Sequence, residues 1–136
     1  MTKKRVLVGD DQLSVEGSLH NKSFIRAYGH VADFDFESNL GKYIDRARVG
    51  NYDALLIDLD WNDGNPSRST GLSLLHKVRD YAPIRLLHTS HELNLDLSCA
   101  LKLVGATGYV QKHRASSYLQ NAIYSGSIEL KGGERE

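Results

Sequence analysis

Short, dense apolar runs alternate along this chain with longer stretches in which apolar residues return every three or four positions. Arg5 to Val8 is such a run, closed by Gly9, Asp10 and Asp11, and reads as a short strand. From Gln12 to about Tyr28, Leu13, Val15, Leu19, Phe24, Ile25 and Tyr28 partly keep helical spacing, which predicts a helix weakened by Gly17. His30 to Phe36 sets Val31, Phe34 and Phe36 among acids, a strand with one exposed face, and Ser38 is placed to cap a helix running to about Val49. Tyr52 to Asp58 carries four consecutive apolar residues, Ala54 to Ile57, straight into an acid, the pattern of a strand buried on both faces.

A turn-rich stretch follows, too long for a minimal connection. Thr70 or Ser69 can then cap a helix through Leu72, Leu74, Leu75, Val78 and Tyr81 that Pro83 ends. Ile84 to Leu87 is a fourth strand leading to His88, Thr89 and Ser90, Leu93 to Val104 a helix with Gly105 as its left-handed stop, Tyr109 and Val110 a fifth strand ending at Lys112, and Ser116 or Ser117 the start of a last helix. Leu93, Leu95, Leu97, Leu101, Leu103 and Cys99 are expected in the core. Five strands alternating with five helical patterns imply a parallel sheet with right-handed crossovers. The Gly-rich, charged tail beyond Ser125 reads as a fraying end or the start of a linker.

Composition narrows the class. A chain of 136 residues with 40% hydrophobic and 25% charged residues suits one globular domain. Lysine plus arginine equals aspartate plus glutamate at 17 each, so no global positive field argues for direct nucleic-acid binding. The single cysteine cannot close an internal disulfide, and with six scattered histidines it makes no zinc-type cluster. The N-terminus lacks a signal peptide's apolar region and no window is apolar enough to span a membrane, which places the protein in the cytoplasm. Neither a Gly-Lys-Ser phosphate loop nor a Gly-x-Gly-x-x-Gly occurs, so nucleotide binding has no support.

The chemistry collects at the carboxyl ends of the expected strands, where open α/β sheets hold ligands. Asp10 and Asp11 follow the first strand, Asp58 ends the third, Thr89 the fourth and Lys112 the fifth. Singly each has a plain alternative: Asp58 as a loop cap, Thr89 as a strand-end hydroxyl, Lys112 as a surface lysine. Together they are hard to explain as packing. Two bare charges 4 Å apart repel by roughly 4 kcal/mol at an effective dielectric near 20, so a divalent cation is the natural way to hold three carboxylates together. Few carboxylates plus waters and phosphate oxygens suit Mg2+. With the metal, Asp58 can accept a phosphoryl group while Lys112 and Thr89 contact its oxygens.

At these residues the chain resembles the receiver domains of bacterial two-component response regulators over nearly its whole length. Arg-Val-Leu-Val-Gly-Asp-Asp at 5–11, Tyr-Asp-Ala-Leu-Leu-Ile-Asp at 52–58, Leu-Leu-His-Thr-Ser-His at 86–91 and Gly-Ala-Thr-Gly-Tyr-Val-Gln-Lys at 105–112 carry the resemblance. It implies a flavodoxin-like (βα)5 three-layer sandwich with a five-stranded parallel sheet in the order 2-1-3-4-5, residues 1–125 as receiver and 126–136 as tail or linker. It implies Asp58 as phosphoacceptor, Asp10, Asp11, Asp58 and the Asp60 backbone carbonyl as metal ligands, and Thr89 and Tyr109 as switch residues. A sensor histidine kinase or phosphotransfer protein is the implied partner, with a homodimer through the helix 4, strand 5, helix 5 face also allowed; it is a signalling domain rather than an enzyme, binding neither nucleic acid nor membrane.

The departures lie around the acceptor. Where the family usually has a proline four residues past it and a glycine eight past it, this chain has Asn62, and Gly71 comes thirteen on; His113 stands where a cis proline often follows the lysine. A cis bond is not expected there, because without proline it costs about 3 kcal/mol. The Asp60 and His91 side chains are expected to modulate phosphoryl lifetime. Asp58-Leu59-Asp60 also matches the opening motif of haloacid-dehalogenase phosphatases, but there the acidic pair follows the other elements. A phosphorylation-independent interaction module of the same fold is a third reading.

Overall fold

The computed structural model describes residues 3–59, 61 and 70–125. Five strands, β1 (Arg5–Gly9), β2 (Asp33–Glu37), β3 (Ala54–Asp58), β4 (Ile84–Thr89) and β5 (Gly108–Gln111), alternate with five helices, α1 (Leu19–Tyr28), α2 (Leu40–Val49), α3 (Thr70–Lys77), α4 (Leu95–Leu103) and α5 (Ser116–Ser125). Every strand pairing is parallel, in the order β2-β1-β3-β4-β5. The parallel pairing is what the alternation implies, and the order is the flavodoxin-like one that the resemblance implies.

Because neighbouring residues on a strand point to opposite faces, the sheet builds two cores. Leu7, Leu55, Ile57 and Leu87 pack with Tyr43, Leu75 and Leu101 from α2, α3 and α4. Val6, Val8, Leu56 and Leu86 pack with Phe24 from α1 and with Leu119 and Ile123 from α5. β3 is buried at every position, as its unbroken apolar run requires, and so it delivers Asp58 to the centre of the carboxyl edge.

Four local expectations need correction. The first helix starts at Leu19, not Gln12: the Asp10 carboxylate accepts the Gln12 and Leu13 amides, Gly17 takes a left-handed φ of 79°, and Ser18 caps a fresh start by accepting from the Asn21 amide. A strand-end acid competing for those amides beats helical spacing. The second helix is capped by Asn39, which accepts from the Lys42 amide, rather than by Ser38. Thr70 is the first residue of α3, and its buried hydroxyl has no hydrogen-bond partner, so it does not act as a cap; Ser69 lies outside the described residues, as do Asp60 and the tail 126–136. On α4 only Leu101 of the expected core leucines is fully buried; Leu95, Cys99 and Leu103, spaced four apart on one face, are exposed. Gly105 does end α4 with a left-handed φ of 82°, and no peptide bond among the described residues is cis.

Candidate functional site at the carboxyl edge of the sheet

The register of β1 and β3 sets Gly9 beside Ile57, so the chain leaves both strands at the same level and presents Asp10 and Asp58 side by side. Both are almost wholly buried, and Asp11 is half-buried. An oxygen from each of the three carboxylates lies within 4.8 Å of the others. Lys112 reaches them because its amide donates to the Thr89 carbonyl at 2.7 Å, carrying the β4–β5 pairing one residue past β5. Its Nζ stands 3.0 Å from Asp10 Oδ2 and 3.2 Å from Asp58 Oδ1. Burial alone would lower the Lys112 pKa, but the two carboxylates outweigh it and hold the ammonium above its usual range.

Among the described residues, one ammonium stands against the three carboxylates of the cluster, which leaves the cluster negative. The donor set is all oxygen, and two of its members are buried. Such a set fits a hard divalent cation, with Asp10, Asp11 and Asp58 as the residues that would hold it. Sulfur and imidazole, which favour zinc or copper, are absent from the cluster.

Thr89, fully buried at the end of β4, directs its hydroxyl into the next loop, where Oγ1 accepts the His91 amide at 3.1 Å. Tyr109 is half-buried, and its hydroxyl donates to the carbonyl of that same His91 at 3.2 Å. Burial raises the Tyr109 phenol pKa, which keeps it protonated as a donor. The two expected switch side chains are therefore joined through one backbone residue. The His91 side chain is exposed; the backbone, not the imidazole, makes both of these contacts.

Two further residues, outside the expected site set, are buried beside the cluster. His88, paired in register with Asp58, is buried with its Nδ1 unpartnered, and burial first, then the nearby Lys112 charge, pushes its pKa down to about 3. Its ring meets Phe24 edge-on at 6.1 Å. Trp61 is also buried. It stacks edge-on with Tyr43 at 5.4 Å and donates from Nε1 to the Ser38 carbonyl at 3.2 Å. Gly9 makes room for it: a Cβ there would run into the Trp61 and Tyr43 rings. Gly71 approaches from the far side of the turn-rich stretch, donating its amide to the Leu59 carbonyl at 3.3 Å. A Cβ on Gly71 would collide with the Asp58 carbonyl and the Leu59 backbone. Turn composition marks that stretch as loop but gives no sign of where it is fastened.

No protein-family model and no curated protein matches the sequence. Solved structures do match over most of the chain. A response regulator receiver domain protein from Methanospirillum hungatei JF-1 is 18% identical with a TM-score of 0.66, covering 91% of this chain and 93% of that one. A two-component response regulator from Clostridium difficile is 15% identical with a TM-score of 0.68, covering 91% and 95%. A response regulator from Burkholderia pseudomallei, solved with a phosphorylated aspartic acid, a calcium ion and citrate, is 22% identical with a TM-score of 0.64, covering 88% of this chain and 66% of that one. The fold is that of the response regulator receiver domains.

Proposed function

We propose that the chain is a receiver that takes a phosphoryl group on Asp58 from a histidine kinase or phosphotransfer protein and changes a protein-interaction face in response. The observation that carries this reading is the acidic cluster of Asp10, Asp11 and Asp58, two of its members buried, closed by Lys112, on a sheet folded as receivers are. An Asp58 oxygen attacks phosphorus, the phosphorus–nitrogen bond of the donor phosphohistidine breaks, and its electron pair returns to the imidazole. Lys112, 3.2 Å from Asp58 Oδ1, would neutralise the incoming oxygens. A bound Mg2+ would supply charge neutralisation at the same oxygens, held by the three carboxylates and, as the sequence suggests, the Asp60 carbonyl.

Thr89 would turn its hydroxyl from the His91 amide to the phosphoryl group. Releasing that amide loosens the loop on which Tyr109 is anchored, and the α4–β5–α5 face changes shape. That face offers exposed Leu95, Leu103 and Tyr118, which suit a protein partner or a second copy. No helix among the described residues is long and apolar enough to cross a membrane, and we assign the protein to the cytoplasm.

The test is incubation with phosphoramidate and Mg2+. One base-labile phosphoryl group per chain, lost in Asp58→Ala, is expected. Many turnovers on an outside substrate would instead identify a phosphatase, and no labelling a phosphorylation-independent module. In the same assay Asp60→Asn is expected to change the dephosphorylation rate by more than about twofold; a smaller change removes the modulating role proposed for that side chain.

A further inference from the structure

Carboxylates as close as those of Asp10, Asp11 and Asp58, with an oxygen of each within 4.8 Å of the others, push one another apart. A site that is ready before its cation arrives therefore needs stiff chain on either side of each acid. On the far side of Asp10 that stiffness comes from the Gln12 and Leu13 amides, which donate to its Oδ1 at 2.7 and 3.0 Å. The near side of Asp10 and the chain leaving Asp58 are held differently, and both lead to Trp61.

Just before Asp10, Gly9 lies against the indole, which occupies the space a Cβ at that position would need. The small residue admits the large one against the end of β1. Past Asp58, the Leu59 amide donates to the His88 carbonyl at 3.2 Å, and the Leu59 carbonyl accepts the Gly71 amide at 3.3 Å. The chain then reaches Trp61, which is 2% exposed and whose Nε1 donates to the Ser38 carbonyl at 3.2 Å. Tyr43 backs the indole edge-on at 5.4 Å and is itself tied to β1, its hydroxyl donating to the Leu7 carbonyl at 2.9 Å. A single side chain thus meets the end of β1 and the segment after β2 while closing the turn after β3.

We propose that Trp61 is a positioning residue for divalent-cation binding: seated on Gly9 and fastened to Ser38, it holds Asp10 and Asp58 at the separation the cation needs. The indole N–H only donates, so Trp61 itself supplies no ligand atom. The inference rests on the reading of Asp10, Asp11 and Asp58 as the carboxylates of a metal site. Residues that orient ligands without being ligands typically cost about 10–100-fold in metal affinity when removed.

The test is a Mn2+ titration of the full chain, followed by the electron paramagnetic resonance of the free ion, with urea melts in parallel. The unmodified chain is expected to bind one Mn2+ that excess Mg2+ displaces. Trp61→Ala should weaken that binding by about tenfold or more, and Trp61→Phe, which keeps a ring against Gly9 and Tyr43, should recover most of the loss. Leu119→Ala, a truncation in the core on the other face of the sheet, should lower the urea midpoint and leave Mn2+ affinity unchanged. A Trp61 that only stabilised the fold would not separate the two readouts. Gly9→Ala, which displaces the ring instead of deleting it, carries the same expectation as Trp61→Ala and keeps the test open if that variant does not fold. Unchanged Mn2+ affinity in the folded Trp61 or Gly9 variants overturns the proposal. So does an equal loss in Leu119→Ala, or no Mn2+ binding by the unmodified chain. Phosphoryl transfer enters none of these readouts, so a failure of Asp58 as acceptor and a failure of Trp61 as positioning residue are told apart.

Discussion

Lys112 holds two buried carboxylates that would otherwise repel each other. Its mostly buried ammonium is 3.0 Å from Asp10 and 3.2 Å from Asp58. Breaking such a pair from one side leaves uncompensated charge and costs about 3 kcal/mol or more. Lys112→Gln is therefore expected to lower stability by about that amount without divalent ions, and millimolar Mg2+ should return most of it, as urea melts with and without the ion would record. His88 makes the converse case, a titratable group kept neutral. With its pKa lowered from 6.5 to about 3, the folded state binds fewer protons than the unfolded chain across that window. Its contribution is fully present above pH 6.5 and is lost as the pH falls toward 3. The stability of His88→Leu relative to the unmodified chain should therefore rise by up to about 1.4 kcal/mol per pH unit on acidification through that window, measured by parallel urea melts. Asp10, Asp11, Asp58, Thr89 and Lys112 were legible in the sequence because each stands where an apolar strand stops. His88 was not, because its burial depends on Phe24 from another element.

At the scale of elements, strands were easier to read than helix ends. A run such as Ala54–Ile57 allows few interpretations, whereas a helix begins where an amide is captured, and Asp10, Ser18 and Asn39 settle that by contacts. The α4 leucines show the limit of counting apolar residues. Leu95, Cys99 and Leu103 share a face turned outward while Leu101 faces the core, and spacing alone cannot say which of two apolar faces the sheet will take. The approach of β1 to the post-acceptor turn is as tight as any contact here. Gly9→Ala would force its methyl into Trp61 and Tyr43, at a cost of about 1–3 kcal/mol. A lower urea midpoint with red-shifted Trp61 emission is the expected result; unchanged emission would mean the ring is not held there.

The whole molecule follows from the alternation of strand and helix, which dictates parallel pairing and right-handed crossovers. Placing two strands beside β1 and closing the edge with β5 brings Asp10 and Lys112, 102 residues apart in sequence, into one hydrogen bond. The same topology explains how an enlarged connection after the acceptor leaves the site intact. The chain departs from a seated Trp61 and is back in register at Gly71, whose amide meets the Leu59 carbonyl. Between two such fixed posts, closing a loop of twice the length costs only about 0.6 kcal/mol more. Exchanging residues 62–69 for others of different length and chemistry is therefore expected to leave the contacts of Lys112 with Asp10 and Asp58 in place, because those contacts and the two posts are made by residues outside that stretch.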